Sequence, residues 1–177
     1  QVLHHELFLR IADPDDAAAE LPAAAFLPMA EAQGLAPFID RHVAERAFAA
    51  ILRNDHDGPV AINLSPLSLA DIDLLSWLET ELKGHPGLRG QVILELPEYG
   101  AVARVDELVE WIARLQPLGA QFSLDHFGKG LSSFEYLRTI KADFLKIDGS
   151  LIAHVDDTPD HAFFLRAIAD IAHGLDM

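Results

Sequence analysis

Five short apolar segments recur along this chain. In each, a polar or charged residue stands in the middle or C-terminal part: Glu6 in 2–11, Asn63 in 60–65, Glu95 in 91–96, Asp125 in 121–127 and Lys146 in 144–148. The stretches between them show apolar residues at helical spacing, as Ile39, Val43, Ala47 and Ile51 do in one and Leu108, Ile112 and Leu115 in another. Near-continuous apolar strands that alternate with such helices predict a parallel sheet, because helices cover both faces of a parallel sheet. Strands joined in that way run in one direction, so in a (β/α) barrel their C-terminal ends meet on one face. One polar residue at a strand end is ordinary: an Asn commonly caps a helix, and a buried Glu commonly has a local partner. Five in succession point to a shared site.

The remaining elements follow from local signals. Residues 2–11 read as one strand with Glu6, Phe8 and Arg10 on the same face. Asp13 to Leu21 reads as a polar, alanine-rich connection. Helices are expected over 26–33, closed by Gly34, and over 37–53, broken by Asn54 to Pro59. Ser68 and Asp71 resemble a capping box for a helix that runs to about Lys83. Further helices are expected from Arg104 to about Pro117 and from Phe134 to Ile140. A last one is capped by Thr158 with Pro159 in its first turn, and carries Phe164, Leu165, Ile168, Ile171 and Ala172 on one face.

The chain has 177 residues, half of them apolar, which is enough for one domain with a real core. It has no cysteine, which removes disulfides and thiolate metal sites. Its formal charge of −15 repels DNA and anionic lipid, so a phosphate ligand would need local cations or a metal. No apolar run approaches the ~18 residues of a membrane span. The chain starts in mid-pattern without a methionine and is expected to be a piece of something longer.

Glu6, Asn63, Glu95 and Asp125 offer oxygen ligands, a set suited to Mg²⁺, Mn²⁺ or Ca²⁺ rather than Zn²⁺. Lys146 could orient a water or neutralise a phosphate oxygen, and Arg10 could grip a phosphate. Metal-assisted phosphodiester hydrolysis needs these parts.

The motifs resemble the EAL domain, a cyclic di-GMP phosphodiesterase or receptor fold, along most of the chain. His5-Glu6-Leu7-Phe8-Leu9-Arg10 stands where the family has Glu-Ala-Leu followed by Leu-Arg. Phe26-Leu27-Pro28-Met29-Ala30-Glu31 resembles Phe-Ile-Pro-Leu-Ala-Glu, and Asn63-Leu64-Ser65 matches Asn-Leu-Ser. Glu95-Leu96-Pro97-Glu98 resembles Glu-Ile-Thr-Glu. Asp125-His126-Phe127-Gly128-Lys129-Gly130 resembles Asp-Asp-Phe-Gly-Thr-Gly, and Leu145-Lys146-Ile147-Asp148 matches Leu-Lys-Ile-Asp. The resemblance implies an α/β fold, a TIM-type (β/α) barrel with one antiparallel strand. The roughly five βα units legible here would leave that barrel incomplete. It implies metal-ligand roles for Glu6, Asn63, Glu95 and Asp125, a water-positioning role for Lys146 and a ligand-phosphate contact for Arg10. Glu98 would anchor the loop after Asp125, which the family uses in dimerisation and control.

Three departures stand out. His126 replaces the second Asp of the family motif, which removes a carboxylate from the metal set. Lys129 stands where Thr is usual and adds a positive charge beside the site. The family's first strand and its last two strands are not legible, so the chain is expected to be one EAL domain, 1–177, truncated at both ends. His126 together with intact Glu6 and Arg10 is similar to degenerate EAL receptors of the LapD type. These bind cyclic di-GMP without hydrolysing it, usually at the cytoplasmic end of an inner-membrane protein with other signalling domains. The sequence therefore leads to a cyclic di-GMP-binding domain with weak or no hydrolysis, needing no metal. An active Mg²⁺- or Mn²⁺-dependent phosphodiesterase and a non-nucleotide interaction module are the alternatives.

Overall fold

The computed structural model describes residues 3–13, 15–16, 19–54, 57–128, 134–153 and 159–177. In chain order the strands are β1 (His5–Leu7), β2 (Arg10–Ala12), β3 (Glu20–Pro22), β4 (Val60–Asn63), β5 (Val92–Pro97), β6 (Gln121–Phe127) and β7 (Phe144–Ile147). The helices are α1 (Ala23–Ala32), α2 (Ala36–Arg53), α3 (Ile72–Gly84), α4 (Glu98–Ala103), α5 (Val105–Leu115), α6 (Gly149–Ile152) and α7 (Pro159–Gly174). Strands β1, β4, β5, β6 and β7 lie side by side in that order, each parallel to its neighbour. The sheet curls into a half-barrel, the incomplete barrel expected from the alternation of strands and helices. Strands β2 and β3 form a separate antiparallel pair.

Register decides which side chains meet. Residues paired across a parallel ladder share a face, and the face alternates along each strand. Glu6 pairs with Ala61, Asn63 with Glu95, Glu95 with Ser123, Pro97 with Asp125, and Ser123 with Phe144. By this count Glu6, Asn63, Glu95, Asp125 and Lys146 all stand on one face. The alternate residues Ile62, Leu94, Leu96, Phe122 and Leu124 face the helices and join a core with Phe48, Leu75, Leu78, Leu108, Trp111 and Leu115. A one-residue slip of any strand would bury its polar residue in that core.

The helices end where local chemistry ends them. Pro37 lies in the first turn of α2, where its missing N–H has no cost. Asn54 closes that helix in the left-handed conformation at φ 58°. The side chain of Asp71 caps α3 by accepting from Leu74 N at 2.7 Å. Ser68 is not the cap that the sequence pattern predicted. It is buried, and its hydroxyl donates to Asp40. Trp111 turns into the core and donates its indole N–H to Leu69 O at 3.1 Å.

Four other expectations change. The strand predicted over 2–11 breaks after Leu7, and Arg10–Ala12 leave the main sheet to pair with Glu20–Pro22. The period-two count linking Glu6 to Arg10 therefore fails, and the predicted connection over 13–21 supplies part of β3. Helix α4 precedes the helix expected from Arg104 and was not expected from the sequence. Residues Phe134–Arg138 form a 3₁₀ helix where an α-helix was expected. Helix α7 starts at Pro159 as predicted and buries Ile168 and Ala172, but Phe164 stays 41% exposed. The proposed cap Thr158 lies outside the described residues. Among those described, no helix is long and apolar enough to cross a membrane.

One buried carboxylate ties α2 to the turn after β4. Asp40 accepts from Ser65 N at 2.9 Å and from Ser68 Oγ at 2.6 Å. Burial pushes its carboxyl up from 3.8 to about 6, against the two hydrogen bonds and aided by the charge of Glu31. The native state then holds this proton more tightly than the unfolded state, so stability falls as pH rises from 3.8 towards and past about 6. The loss is on the order of 3 kcal/mol. Asp40→Asn should remove that slope. In chemical denaturation at about pH 4 and pH 7, the variant should gain on the wild type by a comparable amount at the higher pH. A constant difference between the two proteins would contradict this reading.

Candidate functional site

The face defined by register gathers its charges around one ammonium group. Lys146 Nζ, on β7, donates to Glu6 Oε2 of β1 at 2.9 Å and to Glu95 Oε2 of β5 at 3.1 Å. Asp125 Oδ1 of β6 lies 3.8 Å away. Asn63 of β4 donates its amide to Glu6 Oε1 at 3.1 Å and to Leu7 O at 3.4 Å. Glu95 is fully buried. Burial acts to raise the Glu6 carboxyl, but hydrogen bonds from Asn63 and Lys146 hold it below its usual range. Burial likewise acts to lower the Lys146 ammonium, but Glu6, Glu95 and the charge of Asp125 hold it above its usual range. Lys146 is therefore a fixed positive charge at neutral pH and not a base.

The sequence reading assigned metal-ligand roles to Glu6, Asn63, Glu95 and Asp125. The structure brings all four to one rim, together with Lys146. The buried Glu95 Oε1 has no hydrogen-bond partner among the described residues, so one donor stands ready for a cation. A hard divalent ion, however, needs several oxygens aimed at one point. Here the carboxylates aim at an ammonium. Among the described residues, no group of three or more carboxylate or imidazole side chains is set to hold a metal ion. As arranged, the site does not fit a metal.

His126 sits at an irregularity. The register of β6 and β7 shifts between Leu124 and Phe127, and His126 takes a positive φ of 56°. Such bulges re-aim side chains at the rims of sheets. The backbone N–H of His126 donates to Asp125 Oδ1 at 2.8 Å. Its ring places Nδ1 3.0 Å from Asp148 Oδ2 and Nε2 3.5 Å from Asp125 Oδ2. Asp148 is buried, and its other oxygen accepts from Ser150 N at 2.9 Å, capping α6. The imidazole thus lies between two carboxylates where the family pattern has a third. Gly128 follows at φ 88°, and a Cβ there would meet Leu151 Cδ1 at 2.7 Å. The positive φ favours glycine here, while the Leu151 methyl, at the end of a flexible side chain, could shift.

Glu98 stands behind the rim and anchors it. It is buried, and its Oε2 accepts from Gly128 N at 2.9 Å while its Oε1 accepts from Tyr136 OH at 2.5 Å. Burial and the neighbouring Glu98 push the Tyr136 phenol well above its usual range. Nothing in the sequence singled out Tyr136. Arg10 is exposed on β2 and is not part of the cleft wall. Lys129 lies outside the described residues.

Lys146, Glu6, Asn63, Asp125 and His126 line one side of a cleft of about 680 Å³. Leu7, Leu27, Ile39 and Val43 form an apolar wall that the sequence reading did not assemble, because it is spread over β1, α1 and α2. A concave site with an apolar wall and a few converging polar groups suits a ligand with an apolar ring system and a charged part.

Residues 1–177, the whole chain, match the EAL domain, and the chain belongs to that family. It is 31% identical over 174 residues to the cyclic di-GMP phosphodiesterase PdeF of Escherichia coli strain K12, covering 97% of this chain and 23% of PdeF. It is 30% identical to the cyclic di-GMP phosphodiesterase PdeB of Shewanella oneidensis, covering 94% of this chain and 20% of PdeB. The chain thus spans less than a quarter of the length of these curated relatives. Among solved structures, it is similar to the FimX EAL domain of Pseudomonas aeruginosa bound to c-di-GMP. There the TM-score is 0.86 at 27% identity, covering 98% of this chain and 69% of that one. The LapD of Vibrio cholerae shares the fold at TM-score 0.89 and 22% identity, covering all of this chain and 43% of that one.

The Glu98 anchor makes a prediction. Glu98→Ala strands both the Gly128 N–H and the Tyr136 hydroxyl, whereas Tyr136→Phe removes one donor only. Denaturant unfolding should show Tyr136→Phe losing about 1 kcal/mol and Glu98→Ala losing roughly 2 kcal/mol more. Equal losses would mean that the carboxylate does not hold both groups.

Proposed function

We propose that this chain is the cyclic di-GMP-binding part of a signalling protein, and that it hydrolyses its ligand weakly or not at all. Support for the ligand comes from the likeness to EAL domains solved with c-di-GMP, namely FimX and the MucR phosphodiesterase, the latter at 29% identity and TM-score 0.86. The observation that carries the weak chemistry is the carboxylate cluster closed on Lys146, with His126 in place of the further carboxylate. The apolar wall would take a purine face, and the polar side the phosphates. Arg10, which makes no ion pair or side-chain hydrogen bond among the described residues, would reach a ligand phosphate, with Lys129 adding positive charge. Glu6 would line the ligand side, and Lys146 would act on phosphate or water. Glu98 would hold the rim for a homodimer contact through the loop after Asp125. The parent protein would carry other signalling domains, with this one in the cytoplasm and in some architectures attached to an inner-membrane protein.

The second reading is a metal-dependent phosphodiesterase that gives the linear dinucleotide, with Mg²⁺ or Mn²⁺ held by Glu6, Asn63, Glu95 and Asp125. The unpartnered Glu95 Oε1 favours it, as does the name of the Escherichia coli relative.

Calorimetric titration of cyclic di-GMP with and without Mg²⁺, followed by product analysis of the same samples, separates the readings. Binding without metal and without linear product is expected. Arg10→Ala should weaken binding at least tenfold, about 1.4 kcal/mol. Turnover at the usual enzyme rate of ~1 s⁻¹ or more would make the chain a phosphodiesterase. Absence of binding would leave an interaction module.

A further inference from the structure

We propose that the Lys146 ammonium is the resident cation of this site, and that it keeps divalent metal out of the Glu6, Glu95 and Asp125 cluster. The argument starts from the carboxylate oxygens, taken one at a time. Glu6 Oε1 accepts from Asn63 Nδ2, and Glu6 Oε2 accepts from Lys146 Nζ. Glu95 Oε2 also accepts from Lys146 Nζ. Asp125 Oδ1 accepts from His126 N and lies 3.8 Å from Lys146 Nζ. Asp125 Oδ2 faces His126 Nε2 at 3.5 Å. Among the described residues Glu95 Oε1 is left without a partner, and Asp125 Oδ2 accepts no hydrogen bond. A hard divalent ion takes about six oxygens or more, and this cluster leaves it two that accept no hydrogen bond.

Charge points the same way. Glu95 is fully buried, and a buried carboxylate must be paired. Without a cation, Glu95, Glu6 and Asp125 would repel one another across the ends of β5, β1 and β6. The ammonium is tethered to β7 and is therefore present at high effective concentration, with no cost of capture from solution. A divalent ion would have to displace it and then stand beside a positive charge with few places to go. The side chain of Lys146 is only 29% exposed. Its withdrawal would also break its hydrogen bonds to Glu6 and Glu95.

His126 has a smaller part. Its ring engages Asp125 and Asp148 at the bulge, away from the Lys146 contacts. Restoring a carboxylate at position 126 would therefore leave the ammonium where it is. The proposal concerns how the ammonium occupies the site in this chain, and it holds whichever nucleotide the cleft takes.

The test is calorimetric titration of MnCl₂, with no nucleotide present, into the wild-type chain, Lys146→Met and His126→Asp. Lys146→Met should bind Mn²⁺ at least tenfold more tightly than the wild type, because three carboxylates are left to find another cation. His126→Asp should stay within about threefold of the wild type, a difference under ~0.7 kcal/mol. Equal Mn²⁺ affinity in wild type and Lys146→Met would overturn the proposal. So would a tenfold gain in His126→Asp with Lys146 in place. If Lys146→Met does not fold, the comparison of wild type with His126→Asp still decides. Because no nucleotide is used, failure here leaves the cyclic di-GMP reading standing, and failure of that reading leaves this one.

Discussion

The contact on which this site depends is the Lys146 ammonium held by Glu6 and Glu95 with Asp125 close by. It joins the outermost strands of the curled sheet, β1 and β7, through side chains that reach across β4, β5 and β6. No ladder hydrogen bonds connect those two strands. The ion cluster therefore ties the sheet together from its inner face, while the helix-facing residues do so from the other. It is also costly to assemble, since a buried ion pair recovers its desolvation only if its oxygens and protons are satisfied. Asn63 satisfies one oxygen of Glu6, and the backbone of His126 one oxygen of Asp125. The polar residues of neighbouring strands thus form one network.

The same economy appears at the other carboxylates near the rim. Asp40 holds the turn after β4, Glu98 holds Gly128 and Tyr136, and Asp148 caps α6 while meeting the ring of His126. Each is buried, and each accepts from backbone N–H groups that the turns leave unpaired. A chain with a formal charge of −15 thus places several of its acids inside, where they fix loops, and leaves the cleft with few cations. Among the described residues that line the cleft, Lys146 is the one Lys or Arg, so in the proposed function an anionic ligand would rely on Arg10 reaching in from outside the lining.

Much of this arrangement was legible in the sequence, because it rests on period-two alternation within continuous strands. Glu6, Asn63, Glu95, Asp125 and Lys146 reach one rim since parallel register keeps equivalent positions on one face. Arg10 was misplaced by the same rule, because the strand breaks after Leu7 and periodicity carries no sign of a break. The bulge at His126 was hidden for a similar reason: an extra residue in a ladder leaves no compositional mark. Tyr136 and Asp40 were missed because their partners, Glu98, Ser65 and Ser68, are distant in sequence. The resemblance to the EAL domain supplied Glu98, which no local pattern marked as an anchor.

The most direct test of this account is nitrogen-15 NMR of the lysine side chains at neutral pH. The account predicts one ammonium resonance that exchanges slowly with solvent, disappears in Lys146→Met and does not move when Mg²⁺ is added. An ammonium that exchanges as fast as those of exposed lysines, or that shifts as Mg²⁺ fills the site, would contradict it.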